Sequence, residues 1–470
     1  MMQTARPRDG WTVSSAVLAV SLLSVYPSIR LSAQDTSAID RGVRIGIIYR
    51  PGVRPGLVVL PGPAPALDSA RVIIARDLDY SDRFELITLP GGDSIRFSGA
   101  AASSLLGRPP TGGRAGGGAA AGLNYPLYQA LGADFAVGIA LAADTTVLAV
   151  HDVAAGGVRR EFRAVLPPLK DPGFRMAVHR LADHVLEATL GTGGIAATRI
   201  LFVMDGKVYV IDQDGADRQL VSSSDHQAMS PAWAPDGRRF AYMEFWAGHG
   251  QLFTQPVGSG KRQPVATTGQ ALDFTPAFAP DGKTLAFSRA TEEGTDIYTV
   301  NVKDNCCLQR LTVGRFSDNL SPTYSPDGQR VAFVSTRPGL PQIYVMAADG
   351  TDQQLFAPFD YGVTGSSNAP DWSPDGQSVA FHRDVGGTLQ VFVLDVRTRA
   401  VRQLTSLGRN EDPTWARDSR HLAFVSDRSG YRQLWIIDLE TGRIRPLLQQ
   451  SGARLPAWSP RIPETASSTP

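Results

Sequence analysis

Residue types that carry chemistry are present in this 470-residue sequence, but their spacing does not assemble a familiar reaction centre. A nucleophilic hydrolase sets its serine on a sharp turn, usually Gly-x-Ser-x-Gly, with a histidine and an acid in reach. That pentapeptide does not occur. Gly258-Ser-Gly-Lys261 resembles the end of a phosphate loop, yet Gln255 stands where the first glycine is required, and Arg262 follows the lysine. A strand-connecting turn is the expectation. Asp212-Gln-Asp214-Gly-Ala-Asp217 and Asp349-Gly-Thr-Asp352 resemble pieces of calcium loops but lack the distal glutamate ligand. Both read as Asp-Gly turns. His179 and His184 lie five apart on a predicted helix, about 140° around it, and do not converge on one metal. Cys306 and Cys307 are adjacent, and neighbouring Cα atoms stand closer than the usual disulfide range, so two unlinked thiols are expected. No catalytic residue, cofactor or metal is assigned.

Composition narrows the classes further. Lysine plus arginine number 46 against 45 acids, so no basic surplus speaks for nucleic acid. The 47 glycines and 33 prolines point to many tight turns rather than long helices. Residues 1–33 read as an export signal: Arg6 and Arg8, then an apolar stretch from Trp11 to Val25, with a plausible cut after Ala33. An uncleaved anchor helix is the alternative.

The elements that position everything else repeat. An aromatic closes a Pro-x-aromatic triplet at Trp233, Phe278, Tyr324, Trp372, Trp415 and Trp458. Periods of roughly 40–50 residues rich in strand signals mean propeller blades. Four triplets run into a Pro-Asp-Gly turn, at Pro235, Pro280, Pro326 and Pro374, while the fifth keeps only Asp418. Each turn leads to an alternating strand such as Leu285-Ala-Phe287 or Val331-Ala-Phe333. Residues 199–222 supply second, third and fourth strands without a first, and Pro456-Ala-Trp458 supplies a first strand alone. Together they make one blade, and such a shared blade closes the ring without a free edge. The six aromatics are expected to fill space between blades.

Upstream, residues 41–190 read as mixed α/β. Strands are expected at 43–48, 55–60, 84–87, 133–141, 146–150 and 161–166. Asp68 is expected to cap a helix running to about Asp79. A short helix spans 125–132 and a longer one about 172–190, ended by Gly191. Residues 98–122 form a flexible Gly/Ala-rich insertion. The predicted fold class is an α+β N-terminal domain, 34–194, followed by an all-β six-bladed β-propeller, 195–462, with first and last segments sharing one blade. A disordered tail, 463–470, ends the chain.

This order of parts resembles the TolB family of the Tol–Pal cell-envelope system. The resemblance covers essentially the whole mature chain. It rests on the domain order, the six blades, the end at Pro456-Ala-Trp-Ser-Pro460, and the opening Val43-Arg-Ile-Gly-Ile-Ile48 with Pro55-Gly-Leu-Val-Val-Leu-Pro61. It implies a non-enzymatic, monomeric periplasmic protein that binds the lipoprotein Pal at the propeller mouth and the TolA C-terminal domain through its N-terminal segment, supporting outer-membrane integrity and constriction at cell division. The TolA-facing residues would be Gln34, Asp35, Val43, Arg44, Ile45, Ile47 and Ile48. The Pal-facing residues would lie just before the first strand of each blade: Asp225, His226, Gln227, Asp273, Phe274, Asp318, Asn319, Ser367, Asn368, Asn410, Glu411 and Arg454. The loop Gln270-Ala-Leu-Asp-Phe274 and the 98–122 insertion depart from the family pattern.

A second reading stays open. An exported propeller enzyme, or a protein binding a glycan or small ligand, could use the central channel if Asp225, His226, Asp273, Asp318 and Glu411 converge there. His226 itself is as readily a solvated loop histidine as a partner contact.

Overall fold

The structure, a computed structural model, describes residues 54–61, 65–89, 123–223, 225–246, 249–258, 261–265, 271–359, 365–449 and 452–463. The export signal, the 34–48 segment, the insertion at 98–122 and all of the tail but Pro463 lie outside the described residues.

Among the described residues, the upstream part is one five-stranded sheet with three helices. In chain order it holds β1 (Gly56–Val59), α1 (Pro65–Tyr80), β2 (Glu85–Leu86), α2 (Tyr125–Ala130), β3 (Phe135–Ala142), β4 (Thr145–Asp152), β5 (Gly157–Ala164) and α3 (Gly173–Leu190). The sheet order is β2-β1-β3-β4-β5; β1 runs parallel to β2 and β3, and β3, β4 and β5 alternate. Helix α1 begins three residues before Asp68, which therefore sits in the first turn rather than at the cap. Proline suits that first position because its missing N–H has no helical partner there. The apolar stripe of α3, including Phe174, Val178, Leu181 and Val185, packs with α1 against Leu57, Phe135, Val137 and Leu148. The helix stops at Gly191, which takes φ +70°.

The propeller opens with β6 (Arg199–Met204), β7 (Lys207–Asp212) and β8 (Gln219–Leu220). The first full blade is β9 (Gln227–Trp233), β10 (Arg239–Trp246), β11 (His249–Pro256) and β12 (Gln263–Pro264). The second is β13 (Leu272–Phe278), β14 (Thr284–Thr291), β15 (Gly294–Asn301) and β16 (Cys306–Arg310). The third is β17 (Asn319–Tyr324), β18 (Arg330–Ser335), β19 (Gln342–Ala347) and β20 (Gln354–Leu355). The fourth is β21 (Ser367–Trp372), β22 (Ser378–Val385), β23 (Thr388–Asp395) and β24 (Val401–Gln403). The fifth is β25 (Asn410–Trp415), β26 (His421–Ser426), β27 (Gln433–Asp438) and β28 (Ile444–Leu448). Last comes β29 (Arg454–Trp458), which pairs antiparallel with β6, Ala457 opposite Leu201. The sheet β29-β6-β7-β8 is thus the sixth blade, and the ring closes as expected.

Each inner strand carries the same defect. Ser230, Thr275, Ser321, Ala369, Asp412 and Leu455, each just before the proline of its triplet, have φ between +44° and +54°. The register slips there in all six blades. Proline offers no ladder N–H, so it sits where a bulge already interrupts pairing. The Pro-Asp-Gly turns close as predicted: the N–H of Gly237, Gly282, Gly328 and Gly376 donates to the carbonyl three residues back. The degenerate fifth copy keeps this turn, with Ser419 taking the left-handed position. The cores lie between neighbouring blades. Trp372, Phe381 and Phe392 of the fourth, for example, pack on Ala332, Val334 and Ile343 of the third.

The candidate interaction face and channel

In an antiparallel four-stranded meander, the first-to-second and third-to-fourth connections share one end. The second-to-third hairpins and the links between blades share the other. Hydrogen bonds trace both ends. On one, Val302 N–H donates to Lys283 O and Leu439 N–H to Arg420 O. On the other, Asp318 N–H donates to Thr336 Oγ1 and Ser367 N–H to Pro341 O.

The two ends differ in what they expose. Among the described residues, nine large apolar side chains of the propeller are exposed. Leu220 and Leu355 sit on outermost strands. The other seven (Phe245, Val313, Phe316, Leu340, Val385, Leu407 and Tyr431) belong to the hairpins and inter-blade links of the second end. Phe316 is 97% exposed. Scattered exposed apolar residues are ordinary, whereas seven gathered at one end of a ring set that end apart from the other.

The predicted Pal-facing residues divide on this face. Asp225, Gln227 and Arg454 are exposed, and His226, Phe274, Asp318, Asn368 and Glu411 are half-buried. Asp273, Asn319, Ser367 and Asn410 are instead buried, each held by an arginine of its own blade. Arg289 chelates Asp273 at 2.7 and 3.0 Å. Arg337 donates to Asn319 Oδ1 at 3.2 Å, Arg383 to Ser367 Oγ at 3.0 Å, and Arg428 to Asn410 Oδ1 at 2.8 Å. All four guanidiniums lie over two aromatic rings of the same blade, as Arg428 does over Phe424 and Trp435 at 5.1 and 5.2 Å. Stacked on rings and bonded to the link, these arginines position the loops that a partner would meet.

The acids of the mouth do not converge. Asp273 is neutralised inside its blade, and Glu411 pairs with Arg409 and Arg432. The carboxyls recessed in the central cavity, about 390 Å³ in volume, are different ones, Asp371 and Asp412. Burial raises the Asp371 carboxyl to about 6, although the Trp415 N–H, at 2.7 Å from Oδ2, works against it. Burial, helped by the Glu411 charge, raises Asp412 to about 7. His382 accepts the Asp412 N–H at 3.1 Å and is held down to about 4 by burial and by Arg409. The aromatics of the triplets act between blades, as expected: the Trp233 and Trp415 indoles donate to Ala457 O and Asp371 O.

The opposite end carries the α/β part, through charges the sequence did not single out as a set. His179 of α3 is fully buried, with Nδ1 2.6 Å from Asp77 Oδ2 and Nε2 3.5 Å from Asp212 Oδ2 of β7. Asp214 binds Arg76 and Arg175, and Arg199 holds Asp212 at 2.9 Å. Burial alone would lower the His179 imidazolium, but the charge of Asp77 and the bonds to Asp212 and Asp77 raise it to about 10. A second histidine repeats this. His421 lies between Asp418, at 2.7 Å, and Asp82 of the α/β part, at 3.5 Å, and its carboxylate neighbours raise it against burial. Arg420 binds Asp438 and the Asp82 carbonyl, and Arg443 binds Asp79 and Asp82. The trios Asp77/His179/Asp214 and Asp82/His421/Asp438 have metal-type donors within 4.8 Å of one another. Arginines already pair with Asp214, Asp82 and Asp438, and Asp77 is held by His179 and Gln213. The Asp212–Asp217 segment thus forms a docking turn, and Asp349 accepts the Thr351 N–H in an ordinary turn.

The cysteines correct the expectation of free thiols. Cys306 and Cys307 are joined in a disulfide, at the start of β16, where Asn305 and Cys307 take φ +54° and +65°. The left-handed backbone at this hairpin lets the two neighbouring sulfurs meet.

Together these features define a closed propeller with a mixed α/β part fixed to one end and an apolar-rich surface at the other. The chain belongs to the TolB β-propeller family: the family model described as TolB beta propeller domain matches residues 186–359 and 361–466. The Tol-Pal system protein TolB of Bordetella pertussis is 30% identical over 183 residues, 38% of this chain and 41% of that protein. The TolB of Bordetella bronchiseptica matches to the same extent. The match therefore spans about two fifths of those curated relatives. The crystal structure of TolB from Acinetobacter baumannii superimposes with a TM-score of 0.70 at 22% identity, covering 87% of this chain and 98% of that one, and shares the fold.

Proposed function

We propose that this chain is a non-enzymatic periplasmic scaffold of a Tol–Pal system, made of an export signal (1–33), an α/β domain (34–194) and a propeller (195–462). It binds the peptidoglycan-associated lipoprotein Pal through the exposed end of the propeller and TolA through residues 34–48, and so supports outer-membrane integrity and constriction at division. The observation that carries the reading is that, among the described residues, seven of the nine exposed large apolar side chains of the propeller gather at the end opposite the α/β part. Such side chains, among polar loops held by stacked arginines, suit a folded protein partner. Membership of the TolB family and the scattering of the mouth acids support a binding role over catalysis.

The test is titration calorimetry of the purified chain with the soluble domain of the cognate Pal. Tight binding, weakened at least about tenfold by Phe316→Ser combined with Leu407→Ser, supports the proposal. Deleting residues 34–48 should abolish TolA binding and leave the fold intact. No heat with Pal, or equal affinity of the double variant, overturns the assignment of this face.

A further inference from the structure

The Cys306–Cys307 disulfide does nothing for the fold that a disulfide ordinarily does. Cross-links stabilise chiefly by closing a loop in the unfolded chain, and the gain grows with loop length. Here the sequence separation is one, so no loop is closed. Neither cysteine packs in a core: both are exposed, on the outermost strand of their blade. The chain has no other cysteine, so the bond competes with no alternative pairing. The hairpin that carries it holds two non-glycine residues, Asn305 and Cys307, left-handed within three positions.

We propose that Cys306–Cys307 is a surface thiol–disulfide exchange site, read by dithiol reductants in one state and by thiophilic metalloid or metal ions in the other. An external thiolate attacks one sulfur. The S–S bond breaks as the mixed disulfide forms, and the displaced cysteine sulfur takes the electron pair and then a proton from water. The reductant's second thiolate then attacks the mixed disulfide, releasing the other cysteine, and the reductant leaves as its own disulfide. Two electrons and two protons have passed to the protein. Exposed disulfides are the ones open to such attack. The reduced pair places two thiols on adjacent residues, a chelate for a trivalent arsenical.

The experiment uses the full folded chain, purified in air. Thiol counting with Ellman's reagent should find none before treatment and two after millimolar dithiothreitol and desalting, with near-ultraviolet circular dichroism unchanged. The reduced chain should bind phenylarsine oxide one to one. Cys306→Ser, with one thiol left, should bind it at least about 100-fold more weakly, the chelate being lost. Cys307→Ser should do the same, and the dichroism of each variant reports that it is folded. Two titratable thiols in the air-purified chain, reduction only in denaturant, or equal arsenical affinity of the single-thiol variants would each overturn the proposal.

Discussion

The two ends of the propeller are made from the same repeated strands and do opposite things. At one end, buried carboxylates, histidines and arginines from distant parts of the chain satisfy one another: Asp77 with His179 and Gln213, Asp82 with His421 and Arg443. At the other, four polar side chains at the starts of inner strands, Asp273, Asn319, Ser367 and Asn410, are turned inward and tied by stacked arginines, and apolar side chains are left in water. Mutual pairing satisfies the buried charges of the first contact internally. Withdrawal of polar groups leaves the second with surface still to be covered. The contact with the α/β part is thus electrostatic and internal, whereas the other end leaves apolar area in water.

Breaking the closed end should have the largest effect. Arg420→Ala strands Asp438 and the Asp82 carbonyl without their cation, and about 3–5 kcal/mol of unfolding free energy should be lost in a urea titration. The same end should be alkali-sensitive. The folded pKa of His179, about 10, lies above its ordinary 6.5, so its contribution is complete below pH 6.5 and disappears as pH rises through 10. Melting midpoints measured from pH 6.5 to 10.5 should fall in the wild-type chain, and fall less steeply in His179→Gln. A flat wild-type profile would mean that the histidine is neutral.

The channel responds with the same sign in a lower window. The Asp412 carboxyl is raised to about 7, so its ionisation weakens the fold as pH climbs from the ordinary carboxylate range through 7. Asp412→Asn keeps the shape and tolerates φ +53°. Its melting midpoint should exceed that of wild type at pH 8 by a few degrees and match it near pH 4. The open end should respond least. Tyr431→Ser or Leu407→Ser should move stability by no more than about 0.5 kcal/mol. A larger loss in thermal melts would show that these side chains pack within the ring rather than await a partner.

Much of this was written in the order of residues. The spacing of Pro-x-aromatic triplets, the Pro-Asp-Gly turns and the incomplete first and last segments determined six blades and their closure, because strand alternation and turn chemistry are local. The helical stripe of α3 and its glycine stop were legible for the same reason. Local rules misplaced the start of α1 by three residues, since proline at a first turn competes with an acidic cap. They also left the cysteines apart, because the left-handed backbone that joins them is set by the hairpin.

Only the tertiary structure decided which polar residues face outward. Asp273, Asn319, Ser367 and Asn410, expected in loops ahead of the first strands, are instead the first or second residues of those strands; unlike the neighbouring Asp318 and Glu411, they are buried under arginines 16 or 18 residues further along. His179 finds Asp77 102 residues upstream through the packing of α1 on α3, and Asp212 33 residues downstream only where the α/β part meets the ring. Periodicity follows from a strand's own geometry, whereas charge pairing across such distances depends on which surfaces meet, and that is settled by packing.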